Sequence, residues 1–146
     1  MQSFPSAIRP EFVEFIPKLL EPGVLYVSEK YRTASHLCAC GCGEKVVTPL
    51  SPADWQLSMD GGKVSLHPSI GNWNYACKSH YWIRRNGIAW AGSMSKGQIE
   101  QVQARDLADR ASQVAQINRE RDKQRAAASG GFFGRVLRAL RRLLRL

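Results

Sequence analysis

Residues 38–48 read Cys38-Ala39-Cys40-Gly41-Cys42-Gly43-Glu44-Lys45-Val46-Val47-Thr48. Three cysteines alternate with small residues and run into a short β-branched segment. In a straight strand the outer two would stand ~13 Å apart at roughly 3.3 Å per residue, too far to share one ion. Gly41 and Gly43 let the chain curl, and a tight loop can turn all three sulfurs onto one tetrahedral Zn²⁺. Cys77 then completes a Cys₄ set that uses every cysteine in the chain. The spacing Cys77-Lys78-Ser79-His80 leaves a second ligand set open, in which His80 replaces one sulfur. Either set staples the loop after Arg32 to the segment near Cys77. A closed four-ligand shell is structural, with no position for a catalytic water.

Working outward, residues 24–91 are short β-like runs separated by turn signals. Val24–Val27, Lys45–Thr48, Trp55–Ser58, Lys63–Leu66, His80–Ile83 and Ile88–Trp90 are rich in β-branched and aromatic residues. Asp60-Gly61-Gly62 predicts one hairpin and Asn86-Gly87 another, the latter through a dipeptide that tolerates positive φ. Phe12–Ile16, bracketed by Pro10 and Pro17, reads as an edge strand. The fold class is therefore mainly β with C-terminal α: a small zinc-stapled antiparallel sheet or open barrel, followed by a long helix and an amphipathic tail helix. The expected boundaries are a zinc-binding β domain over 1–94, the long helix over 95–128, a Gly/Ser linker at 129–131 and a basic amphipathic helix over 132–146. Ser95 and Gln98 form a capping box at the start of the long helix. At 1.5 Å per residue its run to Ala128 extends on the order of 50 Å, and its narrow alanine-rich stripe asks for a partner.

The chain of 146 residues carries 21 basic and 12 acidic residues, a net charge of +9. The excess is +2 over residues 1–94, +2 over 95–128 and +5 over 129–146, so basicity is mostly a property of the tail. The body offers little charge for nucleic acid, and its four tryptophans read as core or sheet-packing residues. A tail of five arginines and no acid, opposite Phe133, Val136, Leu137, Leu140, Leu143 and Leu144, suits a partner protein or a membrane surface through 132–146. The opening MQSFPSAIRPEF has no basic region leading into an apolar run, so the expected location is cytoplasmic, where clustered cysteines point to metal before disulfides.

Catalytic candidates are few. Ser69 sits in Leu66-His67-Pro68-Ser69-Ile70-Gly71-Asn72-Trp73, and a serine nucleophile needs a histidine within ~2.6–3.2 Å. His36 and His80 lie two and three residues from cysteines of the metal cluster, which would hold either ring near one locus as the base. Asn72 or Asn74 is then the orienter or oxyanion donor. The plainer reading of Pro68–Asn72 is a turn with a capping serine.

The combination Thr33–Gly43, Ser65–Trp73 and Cys77–Ile83 resembles a small bacterial family of unknown-function domains found near ubiquitin-like conjugation genes. The similarity spans about residues 10–92. It departs at Ala39, where the family pattern has proline, and the long helix and basic tail lie outside it. The resemblance implies the proposed serine-type deubiquitinase of bacterial ubiquitination-like operons. Its activity would be hydrolysis of peptide, isopeptide or ester bonds after the C-terminus of a ubiquitin-like protein, with that protein or its conjugates as partner. It implies Ser69 as nucleophile, His36 or His80 as base, and Cys38, Cys40, Cys42 and Cys77 on a structural Zn²⁺. The alternative is a non-enzymatic zinc-binding adaptor in the same conjugation system.

Overall fold

The computed structural model describes residues 6–144, except for the side chain of Phe132. Among these, eight strands form two four-stranded sheets. The first contains β1 (Arg9–Phe12), β2 (Val24–Ser28), β3 (Thr33–Leu37) and β4 (Lys45–Pro49), in that order. The second contains β5 (Gln56–Asp60), β6 (Lys63–Gly71), β7 (His80–Arg84) and β8 (Gly87–Trp90), again in chain order. All pairings are antiparallel except β1 with β2. One core serves both sheets: Leu25, Val27, Ala34 and Val46 from the first cluster with Val64, Leu66, Ile70, Tyr81 and Ile83 from the second.

The mainly β expectation holds, with two sheets in place of one. Alternating patterns carried the reading where one face is wet, as in β4, whose Val46 and Thr48 are buried between exposed neighbours. Two differences arise in the first sheet. The N-terminal strand is Arg9–Phe12 rather than Phe12–Ile16, because it pairs in parallel with Val24–Val27. Thr33-Ala34-Ser35-His36-Leu37 is a strand whose three central residues are all buried, so it lacks the alternation that would announce it.

Both hairpins form. Gly61 and Gly62, at φ 54° and 76°, link the partners Asp60 and Lys63. In the second hairpin Arg84 pairs with Gly87, so the turn residues are Arg85 and Asn86 (φ 46° and 64°), one position earlier than Asn86-Gly87. Asn86 fixes that register: its Oδ1 accepts from the Val64 N–H at 2.7 Å, and its own N–H donates to the Val64 carbonyl at 2.9 Å.

The helix α1 runs from Lys96 to Leu143. Its capping box is in place, with the Ser95 N–H donating to Gln98 Oε1 at 2.8 Å and the Gln98 N–H to Ser95 Oγ at 3.3 Å. The helix continues through Ser129-Gly130-Gly131, where the composition predicts a linker. Isolated glycines cost a helix only about 1 kcal/mol each relative to alanine, and Ala126–Ala128 precede them. The chain divides into two compact units, one ending at Asp106 and one beginning at Leu107.

Candidate active site and metal centre

The four cysteines converge. Their sulfurs all lie within 4.8 Å of one another, with Cys38 3.3 Å from Cys40 and Cys77 3.9 Å from Cys38 and 3.8 Å from Cys42. Ligands at ~2.3 Å on a tetrahedral ion would be about 3.8 Å apart, so the donor set fits one metal ion. Gly41 and Gly43 adopt φ 82° and 84°, which supplies the required curl. The Gly41 N–H closes a turn on the Cys38 carbonyl at 3.0 Å. Four crowded thiolates repel, and a divalent cation is the counter-charge that lets all ionise.

Polar groups support the sulfurs from outside. Asn72 Nδ2 donates to Cys38 Sγ at 3.4 Å and to Ser79 Oγ at 2.9 Å, while Ser79 Oγ lies 3.0 Å from Cys38 Sγ and 3.5 Å from Cys77 Sγ. Burial pushes the Cys40 thiol up, and its bonds to Cys38 and Cys42 add to the rise. Burial also raises Cys77, but hydrogen bonds from Ser79, Cys40 and Cys42 outweigh it and bring the thiol down to about 7. Asn72, a candidate orienter or oxyanion donor from sequence, is thus turned toward the sulfurs. Such outer partners normally hold metal ligands in place.

Ser69 and His80 meet on the other face of the second sheet. In β7, Tyr81 and Ile83 point into the core, so His80 and Trp82 point away from it. In β6, Leu66 pairs with Ile83 and Ile70 with Tyr81, so four residues on β6 span two on β7. The bulge keeps Leu66 and Ile70 inward and sets Ser69 on the outward side, diagonal to His80. Ser69 Oγ and His80 Nε2 share a 2.9 Å hydrogen bond. His80 Nδ1 is buried and has no hydrogen-bond partner of good geometry among the described residues. Burial lowers the His80 pKa, and the neighbouring Gly92 backbone opposes that shift.

Two indoles enclose the His80 ring: Trp73 at 4.9 Å in an edge-on arrangement and Trp82 at 5.5 Å. Arg84 lies over the Trp82 indole, 4.8 Å from its centroid. A Cβ at Gly71 would come within 2.3–2.5 Å of the Trp73 ring, so only glycine lets that indole settle beside the histidine. Composition alone reads these tryptophans as core or sheet-packing residues, whereas here Trp73 and Trp82 flank an imidazole. The i, i+2 relation of His80 and Trp82 on one strand was the signal that places them on the same face.

The other histidines go elsewhere. His36 is fully buried, with Nε2 2.8 Å from Tyr81 Oη, and burial lowers its pKa to about 4. No hydrogen bond joins it to Ser69 among the described residues. His67 is exposed on β6, and Asn74 is exposed in the turn between Asn72 and Tyr75.

The structure thus holds a four-cysteine cluster and, on the second sheet, a serine–histidine pair, and a family model for the bacterial ubiquitination-like system serine protease (BubE) matches residues 12–91. The chain belongs to the BubE family. The matched span begins at the last residue of β1 and ends just after β8, so it takes in the cysteine cluster, Ser69 and His80 and leaves α1 outside. No curated protein and no solved structure matches the chain.

Proposed function

We propose that this BubE-family chain is a serine-type hydrolase that cleaves a peptide, isopeptide or ester bond after the C-terminus of a ubiquitin-like protein. Ser69 is the nucleophile and His80 the base. The observation that carries the reading is the 2.9 Å bond between Ser69 Oγ and His80 Nε2, within hydrogen-bond reach for proton transfer. Ser69 Oγ attacks the scissile carbonyl carbon as its proton passes to Nε2. Collapse of the tetrahedral adduct breaks the bond to the leaving amine or alcohol, which takes the proton back from Nε2. Water then repeats the sequence on the acyl-serine, His80 accepting its proton and returning it to Ser69. The BubE description supplies the class of partner, a ubiquitination-like system.

Zn²⁺ on Cys38, Cys40, Cys42 and Cys77 has a structural role. When bound it neutralises the thiolates and cross-links the fold. Its reach into the active site runs along the chain: Asn72 follows Gly71, and Cys77 and Ser79 precede His80, so the supported cluster anchors the ends of both strand segments carrying the pair.

The test is cleavage of a fusion protein that carries a ubiquitin-like protein of a bacterial ubiquitination-like system at its N-terminus, with a fluorophosphonate label on Ser69 as a second readout. Ser69→Ala should abolish both while metal content and thermal unfolding stay at wild-type values. Wild-type protein that neither cleaves such a fusion nor takes the label would favour the adaptor role instead.

A further inference from the structure

Residues 133–143 of α1 and Leu144, whose N–H bonds to the Leu140 carbonyl at 3.0 Å, present a surface that the hydrolase reading leaves unused. At 100° per residue, Phe133, Val136, Leu137, Leu140, Leu143 and Leu144 fall within an arc of about 120°. Arg135, Arg138, Arg141 and Arg142 occupy an arc of similar width on the opposite side. All six apolar side chains are exposed, Leu143 and Leu144 by 69% and 85%. The segment contains no acidic residue. Residues 107–128 of the same helix carry both signs, with Asp109, Glu120 and Asp122 among five basic residues, so the segregation is confined to this stretch.

We infer that this segment binds the surface of an anionic lipid bilayer, lying in the interface with its leucines in the acyl region and its arginines among the headgroups. Among the described residues no helix is long and apolar enough to cross a membrane, which leaves the interfacial mode. A second copy of the helix is a poor occupant, since pairing would bring two all-arginine flanks together without one counter-charge. The apolar arc is also wider than the two-position seam of a paired helix. An anionic headgroup layer meets both demands, offering apolar depth along the whole arc and negative charge along both its edges.

The experiment is co-sedimentation of the full chain with vesicles of phosphatidylcholine alone or with about one-third phosphatidylserine. Binding should be at least about tenfold tighter to the anionic vesicles and should weaken as salt rises. Leu137→Glu with Leu140→Glu should abolish it. Arg138→Gln and Arg142→Gln, which preserve helix propensity, should each weaken it by about fivefold. Circular dichroism confirms that each variant keeps its helix. Equal binding to both vesicle types, or none to either, overturns the proposal, as does assembly into an oligomer that persists in place of vesicle binding.

Discussion

His36 on β3 and His80 on β7 make an instructive pair, because both strands adjoin the cysteine cluster and each presents one imidazole close in sequence to a sulfur. Around β3 the register with β4 is regular, both faces are covered, and the imidazole is locked to Tyr81. Around β7 the register with β6 slips, one face is open, and the imidazole finds a serine. Residue type and closeness to the cluster are shared. The difference lies in which way the strand turns the ring and whether the neighbouring strand bulges toward it.

The sharpest way to break that contrast is to remove each ring's partner or the ring itself. If His80 is the base proposed above, His80→Gln should lower turnover by about 10³-fold or more. Metal content should stay at wild-type stoichiometry, as measured by elemental analysis, because four sulfurs suffice as ligands. Loss of the metal in that variant would return His80 to the ligand set. On the other strand, Tyr81→Phe strips the hydroxyl from both His36 Nε2 and the Ala39 N–H. Burying two polar groups without partners should cost about 2–4 kcal/mol in urea unfolding. Turnover by the folded fraction should change little, because Tyr81 faces the core.

Subtler variants sharpen the comparison within the outward face. Gly71→Ala forces the Trp73 indole away from its seat, and turnover should fall by about tenfold through a misplaced His80 ring. The smallest effect is a shift in pH dependence. Burial holds His80 below the usual histidine value of about 6.5, so the ring is neutral and able to accept a proton at pH 7. Activity should therefore fall only as pH drops through a pKa below 6.5, where the protonated ring can no longer act as base. Trp73→Ala hydrates the ring and should move that acid limb upward, toward 6.5, in a kcat/KM profile.

Much of this was legible in the sequence, for identifiable reasons. Cys38, Cys40 and Cys42 announce their convergence because Gly41 and Gly43 lie between and after them and can take the positive φ the loop needs. The strands that alternate were readable, and the capping box placed the start of α1 to the residue. β3 was hidden because burial on both faces erases its period and, unlike the equally buried β2, Thr33–Leu37 holds just one β-branched residue and no Phe, Tyr or Trp to announce a strand. The choice between His36 and His80 could not be made from spacing, since it turns on strand direction and on a register slip opposite β7, both set by pairing across the sheet. The helix through Gly130 and Gly131 was missed because turn-forming composition outweighed the helical pattern on either side.

The slip in β6 has a consequence for how this segment can vary in length. Two surplus residues leave Ile70 and everything after it facing the same way as before, whereas one would exchange inside for outside along the rest of the strand. Insertions and deletions between Leu66 and Ile70 should accordingly be tolerated best in even numbers, an odd change requiring a differently shaped bulge to keep Ile70 inward. A single-residue deletion that resets the plain alternation there would send Ser69 inward and turn Ile70 out to water.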